Sequence, residues 1–149
     1  MILASQSPRR IELMREAGFD ARVIPANIDE TALPNESPFD LVERLARAKA
    51  AAVAKEHAEE GEPVVAADTI VALAGELLGK PADEADARRM LHALSGKTHQ
   101  VATGVCIVRD GSAESFVDIT DVTFYELSHD EIDAYVAVSY THLTLPTNS

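Results

Sequence analysis

Tryptophan is absent from this sequence, aromatic residues make up 5% of it, and there is one cysteine. With Cys106 alone no disulfide framework can form, and its place in the apolar run Val105-Cys106-Ile107-Val108 reads as a buried, inert thiol of the kind a reducing cytosol permits. No apolar stretch approaches the roughly 20 residues of a membrane span. The start, Met1-Ile2-Leu3-Ala4, runs into Arg9-Arg10 without a secretory apolar region, so a soluble cytoplasmic protein is expected. Positive charge is scarce as well: 13 Lys and Arg against 25 Asp and Glu leave a formal net charge of −12. That balance opposes attraction to a phosphate backbone or an anionic bilayer, so long nucleic acid and membranes are not expected partners. A small anionic ligand needs only local cations, which makes the few clustered basic residues informative.

What is present suffices for one core. With 149 residues, 46% of them hydrophobic, the chain needs neither disulfides nor metal to fold as a single domain. The spacing predicts a short buried strand at Ile2 to Ala4, then a helix from about Pro8 to Ala17 capped by Ser7 and stopped by Gly18. A strand at Val23 to Pro25 and an acidic loop, Asn27 to Ser37, precede the longest helix, Pro38 to about Glu59. Next come an apolar strand, Pro63 to Leu73, a short return at Glu76 to Leu78, and an amphipathic helix, Glu84 to Leu94, closed by Gly96. Two longer strands, His99 to Arg109 and Phe116 to Leu127, flank an Asp110-Gly111 hairpin signal, and Ser128 with Glu131 forms a capping box for a helix through Val136. Alternating strands and helices followed by an antiparallel pair indicate an α/β domain with a mixed sheet and flanking helices.

Several residues carry chemistry. Ser5-Gln6-Ser7-Pro8-Arg9-Arg10 sits at a strand-to-helix junction, where free N–H groups, two hydroxyls and two guanidinium forks suit phosphate oxygens. An ordinary Ser-Pro cap with two solvated arginines is the plainer alternative. Asp68 interrupts Val64-Val65-Ala66-Ala67-Asp68-Thr69-Ile70-Val71; within a strand so apolar it requires a cation, a metal or several donors, unless the strand ends at Ala67 and Asp68 opens a solvated turn. Lys49 falls on the helical stripe of Val42 and Leu45, so its ammonium either snorkels or enters a cleft. Lys80, between Gly79 and Pro81, and Glu30, in Ile28-Asp29-Glu30-Thr31, look like solvated turn and loop charges. Gly96-Lys97-Thr98 imitates the end of a P-loop, but the motif's first glycine would be Leu91. His92 and His99 lack zinc-site spacing, and no nucleophile elbow or Cys/His pairing occurs.

Taken in order, Leu3-Ala4-Ser5-Gln6-Ser7-Pro8-Arg9-Arg10, Arg44-Leu45-Ala46-Arg47-Ala48-Lys49-Ala50, Ala67-Asp68-Thr69-Ile70-Val71, Leu78-Gly79-Lys80-Pro81, Leu94-Ser95-Gly96-Lys97-Thr98-His99-Gln100-Val101, Thr103-Gly104-Val105 and Thr120-Asp121-Val122-Thr123-Phe124 resemble the Maf family over about Ile2 to Ala137. The resemblance implies hydrolysis of nucleoside triphosphates to monophosphate and pyrophosphate, on a mixed-sheet fold shared with inosine triphosphate pyrophosphatases. It implies a divalent metal, Mg²⁺ with Mn²⁺ as the alternative, held by Glu30 and Asp68. Asp68 would also accept the proton of the attacking water, and Ser5, Ser7, Arg9, Arg10, Lys49, Thr69 and Lys80 would bind substrate. Pro8 directly before Arg9, with Thr69 after the aspartate, resembles the branch acting on dTTP and UTP rather than the 7-methyl-GTP branch. A homodimer is compatible with the resemblance. Two other readings remain: a nucleotide-binding regulator of septum formation in which hydrolysis is incidental, and an inosine triphosphate type pyrophosphatase, against which the Ser-Pro-Arg-Arg start argues.

The resemblance stops after Tyr135-Val136-Ala137. The family continues with a Gly-Glu-Pro turn, a Lys-Ala-Gly segment, a base-selecting glutamine and further strands, none of which is found here. Instead Val138 to Thr147, VSYTHLTLPT, resembles the translation of a transposon-end sequencing adapter, and no Asp, Glu, Lys or Arg occurs from Val136 to Ser149. Residues 1–137 are thus expected to form the domain, incomplete at its C-terminal part, and 138–149 a non-native tail. Exposed sheet edges and poor folding or activity of the chain as written are the corresponding expectations.

Overall fold

The computed structural model describes residues 1–141, with side chains through Val138. Ten elements follow in order: β1 (Ile2–Ala4), α1 (Pro8–Glu16), β2 (Arg22–Val23), α2 (Pro38–His57), β3 (Val64–Leu73), β4 (Glu76–Leu78), α3 (Glu84–Leu94), β5 (Thr98–Arg109), β6 (Ser112–Thr123) and α4 (His129–Thr141). The expected mixed sheet is present, six-stranded, in the order β2-β1-β3-β5-β6, with β4 also pairing β3. β1 runs parallel to β2 and β3, whereas β4, β5 and β6 join through antiparallel ladders.

Local chemistry sets the boundaries. Ser7 caps α1 by accepting from the Arg10 amide, Ser37 caps α2 through the Asp40 amide, and Pro8 and Pro38 occupy the first turns, where a missing N–H costs nothing. The Ser128–Glu131 capping box forms in both directions, at 3.1 and 3.0 Å. Asp110 and Gly111 adopt φ of 50° and 81°, the left-handed pair that a two-residue hairpin needs, so pairing starts at once with Arg109 opposite Ser112. Hence β6 begins four residues before the strand expected at Phe116 and ends at Thr123, short of Leu127. α4 extends beyond Val136 to Thr141; of the segment set apart from Val138 onward, residues 142–149 lie outside those described.

The core lies between α2 and one face of the sheet. Ile2 and Ala4 of β1, Val64 and Ala66 of β3 and Cys106 of β5 meet Ala46, Ala50 and Val53 of α2. Cys106 is fully buried, as its apolar run predicts, and burial raises its thiol pKa. The alanines let helix and sheet approach closely, and closest at Gly104, where a Cβ would stand 2.4 Å from the Val42 carbonyl oxygen. A smaller cluster, Ala87 with Ile132 and Val136, joins α3 to α4. The Glu62 carboxylate ties Arg22 (2.7 Å) and the N-terminal ammonium (3.4 Å) to the entry of β3, and the Arg22 hydrogen bond holds its pKa down at about 2. Among the described residues no helix is long and apolar enough to cross a membrane.

Candidate active site

The site follows from a gap in the strand ladder. Along one edge of β3, pairing with β1 ends at Ala66 and pairing with β4 starts at Val71. Ala67 to Ile70 therefore have strand neighbours only on the β5 side, where Asp68 lies opposite Gly104 and Thr69 opposite Thr103. A strand edge left open needs other partners for its backbone groups. Arg10, from the first turn of α1, supplies one: its Nη1 donates to the Ala67 carbonyl at 3.2 Å and its Nη2 to Thr69 Oγ1 at 2.5 Å.

Asp68 is in the strand interior, 4% exposed, so the solvated-turn alternative does not hold. It points toward α2, where Lys49 occupies the buried stripe with Val42, Leu45 and Val53 and is itself 4% exposed. Its ammonium enters the cleft instead of snorkelling: Nζ donates to Asp68 Oδ1 at 2.9 Å and lies 3.0 Å from Glu30 Oε1. The loop carboxylate of Glu30, about half exposed, is thereby recruited to the same cation. Burial raises the Asp68 pKa above the ordinary carboxylate value, and the neighbouring Glu30 charge adds to this; the Lys49 hydrogen bond and charge, and the Arg10 charge, oppose it. Burial lowers the pKa of Arg10, against the pull of Asp68.

Ser5 and Ser7 are both buried and structurally engaged. Ser5 Oγ accepts from the Ser7 amide at 3.0 Å, and Ser7 Oγ from the Arg10 amide at 3.4 Å, a chain that fixes the turn carrying Arg10. Two clefts adjoin at Glu30 and Lys80. One, of about 200 Å³, is polar and includes Ser5, Gln6 and Lys49; the other, of about 220 Å³, holds Asp68 and Thr69 against an apolar wall from Leu41, Leu45, Leu77 and Leu78. Lys80 thus stands at the junction, whereas Arg9 is exposed and lines neither cleft. The sequence reading did not single out the apolar wall or Thr103, whose hydroxyl lies 3.0 Å from that of Thr69. The Thr69–Thr103 contact depends on β3 meeting β5 across β4 and α3, a register that no local pattern reveals.

No cluster of three His, Cys, Asp or Glu side chains suited to a metal occurs among the described residues. Two carboxylates, Glu30 and Asp68, do stand close together, on either side of the Lys49 ammonium, an all-oxygen donor set. That fits a hard cation such as Mg²⁺, which takes one or two carboxylates and fills its remaining positions with phosphate oxygens and water.

Known proteins resemble this one in fold and in sequence. The Staphylococcus aureus Ham1 protein superposes with a TM-score of 0.58 over 86% of this chain and 71% of its own, at 19% identity, a likeness of fold alone. The chain belongs to the Maf family: the model for Maf-like proteins matches residues 1–143. A dTTP/UTP pyrophosphatase of Anaeromyxobacter dehalogenans (strain 2CP-C) is 53% identical over 140 residues, covering 91% of this chain and 69% of the relative. One from Bacillus cereus (strain AH820) is 48% identical over 137 residues, covering 92% and 71%.

Proposed function

We propose that this protein is a metal-dependent nucleoside triphosphate pyrophosphatase acting on dTTP and UTP, releasing the monophosphate and pyrophosphate. The carrying observation is the buried Lys49 ammonium between Asp68 and Glu30, beside the guanidinium of Arg10. An acidic chain retains Lys49 and Lys80 in the walls of one cleft system, with Arg10 bound to the wall residue Thr69, and these three cationic side chains suit a polyphosphate. The apolar wall beside them offers a surface for a base or sugar. The names of the two relatives support the choice of dTTP and UTP, as does Thr69 following Asp68.

In this reading Asp68 accepts a proton from the water whose oxygen bonds to the α-phosphorus, and the bond from that phosphorus to the α–β bridging oxygen breaks. A carboxylate whose pKa is raised by burial is a stronger base, while the Lys49 ammonium favours its ionised form. Lys49 and Lys80 meet the charge that develops on the departing pyrophosphate, while Arg10, with Ser5, Ser7 and Arg9 of the same turn, binds the phosphates alike in ground and transition state. A divalent metal held by Glu30 and Asp68 would neutralise phosphate oxygens and draw charge from the leaving group.

The test is pyrophosphate release with Mg²⁺ from dTTP, UTP, ITP and 7-methyl-GTP, by the chain and its Asp68→Asn variant. Turnover of dTTP and UTP that falls by at least about a hundredfold in the variant is expected, the scale of losing a positioned base. Full turnover by Asp68→Asn would remove the assignment. Tight nucleotide binding without turnover by the unaltered chain would favour a regulator, and preference for ITP the inosine triphosphate type.

A further inference from the structure

A hydroxyl outside the carboxylate cluster, that of Thr103, lies against the side chain that receives Arg10. Thr69 and Thr103 lie directly opposite each other in the β3–β5 ladder, so backbone register brings their hydroxyls together at 3.0 Å. Thr69 Oγ1 also takes the Nη2 donor of Arg10 at 2.5 Å. A guanidinium has only donors, so Thr69 must turn a lone pair toward it. A threonine hydroxyl can rotate, and a second hydrogen bond, whichever of the two threonines donates, fixes that rotor. With Nη1 held by the Ala67 carbonyl, the Arg10 fork is pinned at both tips, to the residues on either side of Asp68.

We propose that Thr103 is a positioning residue for the triphosphate: acting through Thr69, it orients the Arg10 guanidinium before substrate arrives. The proposal rests on reading the cleft as a triphosphate site. Thr103 itself lines neither cleft and touches the wall residue Thr69, so its influence passes through Thr69. An arginine already ordered binds an anion without a further loss of rotamer freedom, which is a binding effect and not a chemical one.

Thr103→Val is nearly isosteric and removes only the hydroxyl. Two readouts separate the proposal from the functional reading. In the free chain, nitrogen relaxation of the Arg10 Nε–H reports its order without any nucleotide: the side chain should be rigid in the unaltered protein, mobile in Thr103→Val and rigid again in Thr103→Ser. With dTTP and Mg²⁺, Thr103→Val should raise KM on the order of fivefold, the effect of one ordinary hydrogen bond. Its kcat should stay within about twofold, because an interaction equal in ground and transition states moves KM alone. Thr103→Ser should restore KM, and Thr103→Val should add nothing in a Thr69→Val background, where the intermediary is already gone. Unchanged Arg10 mobility, an unmoved KM, or full additivity with Thr69→Val would each overturn the proposal. Absence of dTTP turnover by the unaltered chain would instead overturn the functional reading and the substrate half of this one, leaving the relaxation data to decide whether Thr103 orders Arg10.

Discussion

Lys49 and Asp68 are each 4% exposed, and neither would be stable there alone. Together with Glu30 they form a triad with one positive and two negative charges; burial outweighs the pull of Lys49 and leaves Asp68 holding its proton more tightly in the folded chain than in the unfolded one. Stability linked to Asp68 should therefore increase as pH falls through its folded pKa. The gain ends near the ordinary value of 3.8, where the unfolded chain takes up the same proton. Asparagine does not titrate, so metal-free melting curves should show the Tm difference between the unaltered chain and Asp68→Asn shifting toward the unaltered chain on acidification. A difference independent of pH would contradict the raised pKa. These two residues were legible in the sequence because each breaks a pattern, an acid in an apolar strand and a lysine on an apolar helical stripe. Ser7 was legible as a cap. Glu30 and Lys80 were not, since a charge in a loop has no periodicity to break, and only family resemblance placed them.

The elements owe their arrangement to one close approach, α2 over β5. At Gly104 a Cβ would meet Val42 O at 2.4 Å, Val42 C at 2.7 Å and Glu43 N at 2.9 Å, all backbone atoms of a 20-residue helix that cannot yield cheaply. Gly104→Ala should destabilise by about 3 kcal/mol, at the upper end of ordinary overpacking, and lower Tm by roughly 10 °C for a domain of this size. Gly79→Ala is the control: no atom lies within 4 Å of its added Cβ, so its Tm should stay close to that of the unaltered chain. Equal Tm values for both variants would mean that the helix rides higher over the sheet. Most of these elements could be read from sequence because caps, prolines and the Asp110-Gly111 turn act locally. The β5–β6 hairpin belongs to that class. The β3–β5 pairing does not, because β4 and α3 intervene, and with it the Thr69–Thr103 contact stays hidden; so does the gap that makes the site, which depends on where the β1 and β4 ladders stop along β3.

At the scale of the whole molecule, an anion-binding cleft is set in a protein of formal charge −12. The short-range attraction of Arg10, Lys49 and Lys80 must overcome a long-range field of the opposite sign, and salt screens the two unequally. At an ionic strength of ~0.01 M the Debye length is about 30 Å, so remote acids oppose the approaching triphosphate; at ~0.15 M it is about 8 Å and their effect is largely lost. Contacts within the partly buried cleft are screened much less. In the low-salt range, kcat/KM for dTTP at constant free Mg²⁺ should therefore rise with added salt, the reverse of the usual behaviour of a cationic site. Glu16, Glu60, Glu114 and Glu126 are exposed and line neither cleft. Replacing all four by glutamine should raise kcat/KM at the lowest salt and flatten the salt dependence, with the two proteins converging once screening is strong. If both instead lose kcat/KM equally and steadily from the lowest salt upward, the remote charges have no part in substrate capture, and the local cations alone set the affinity.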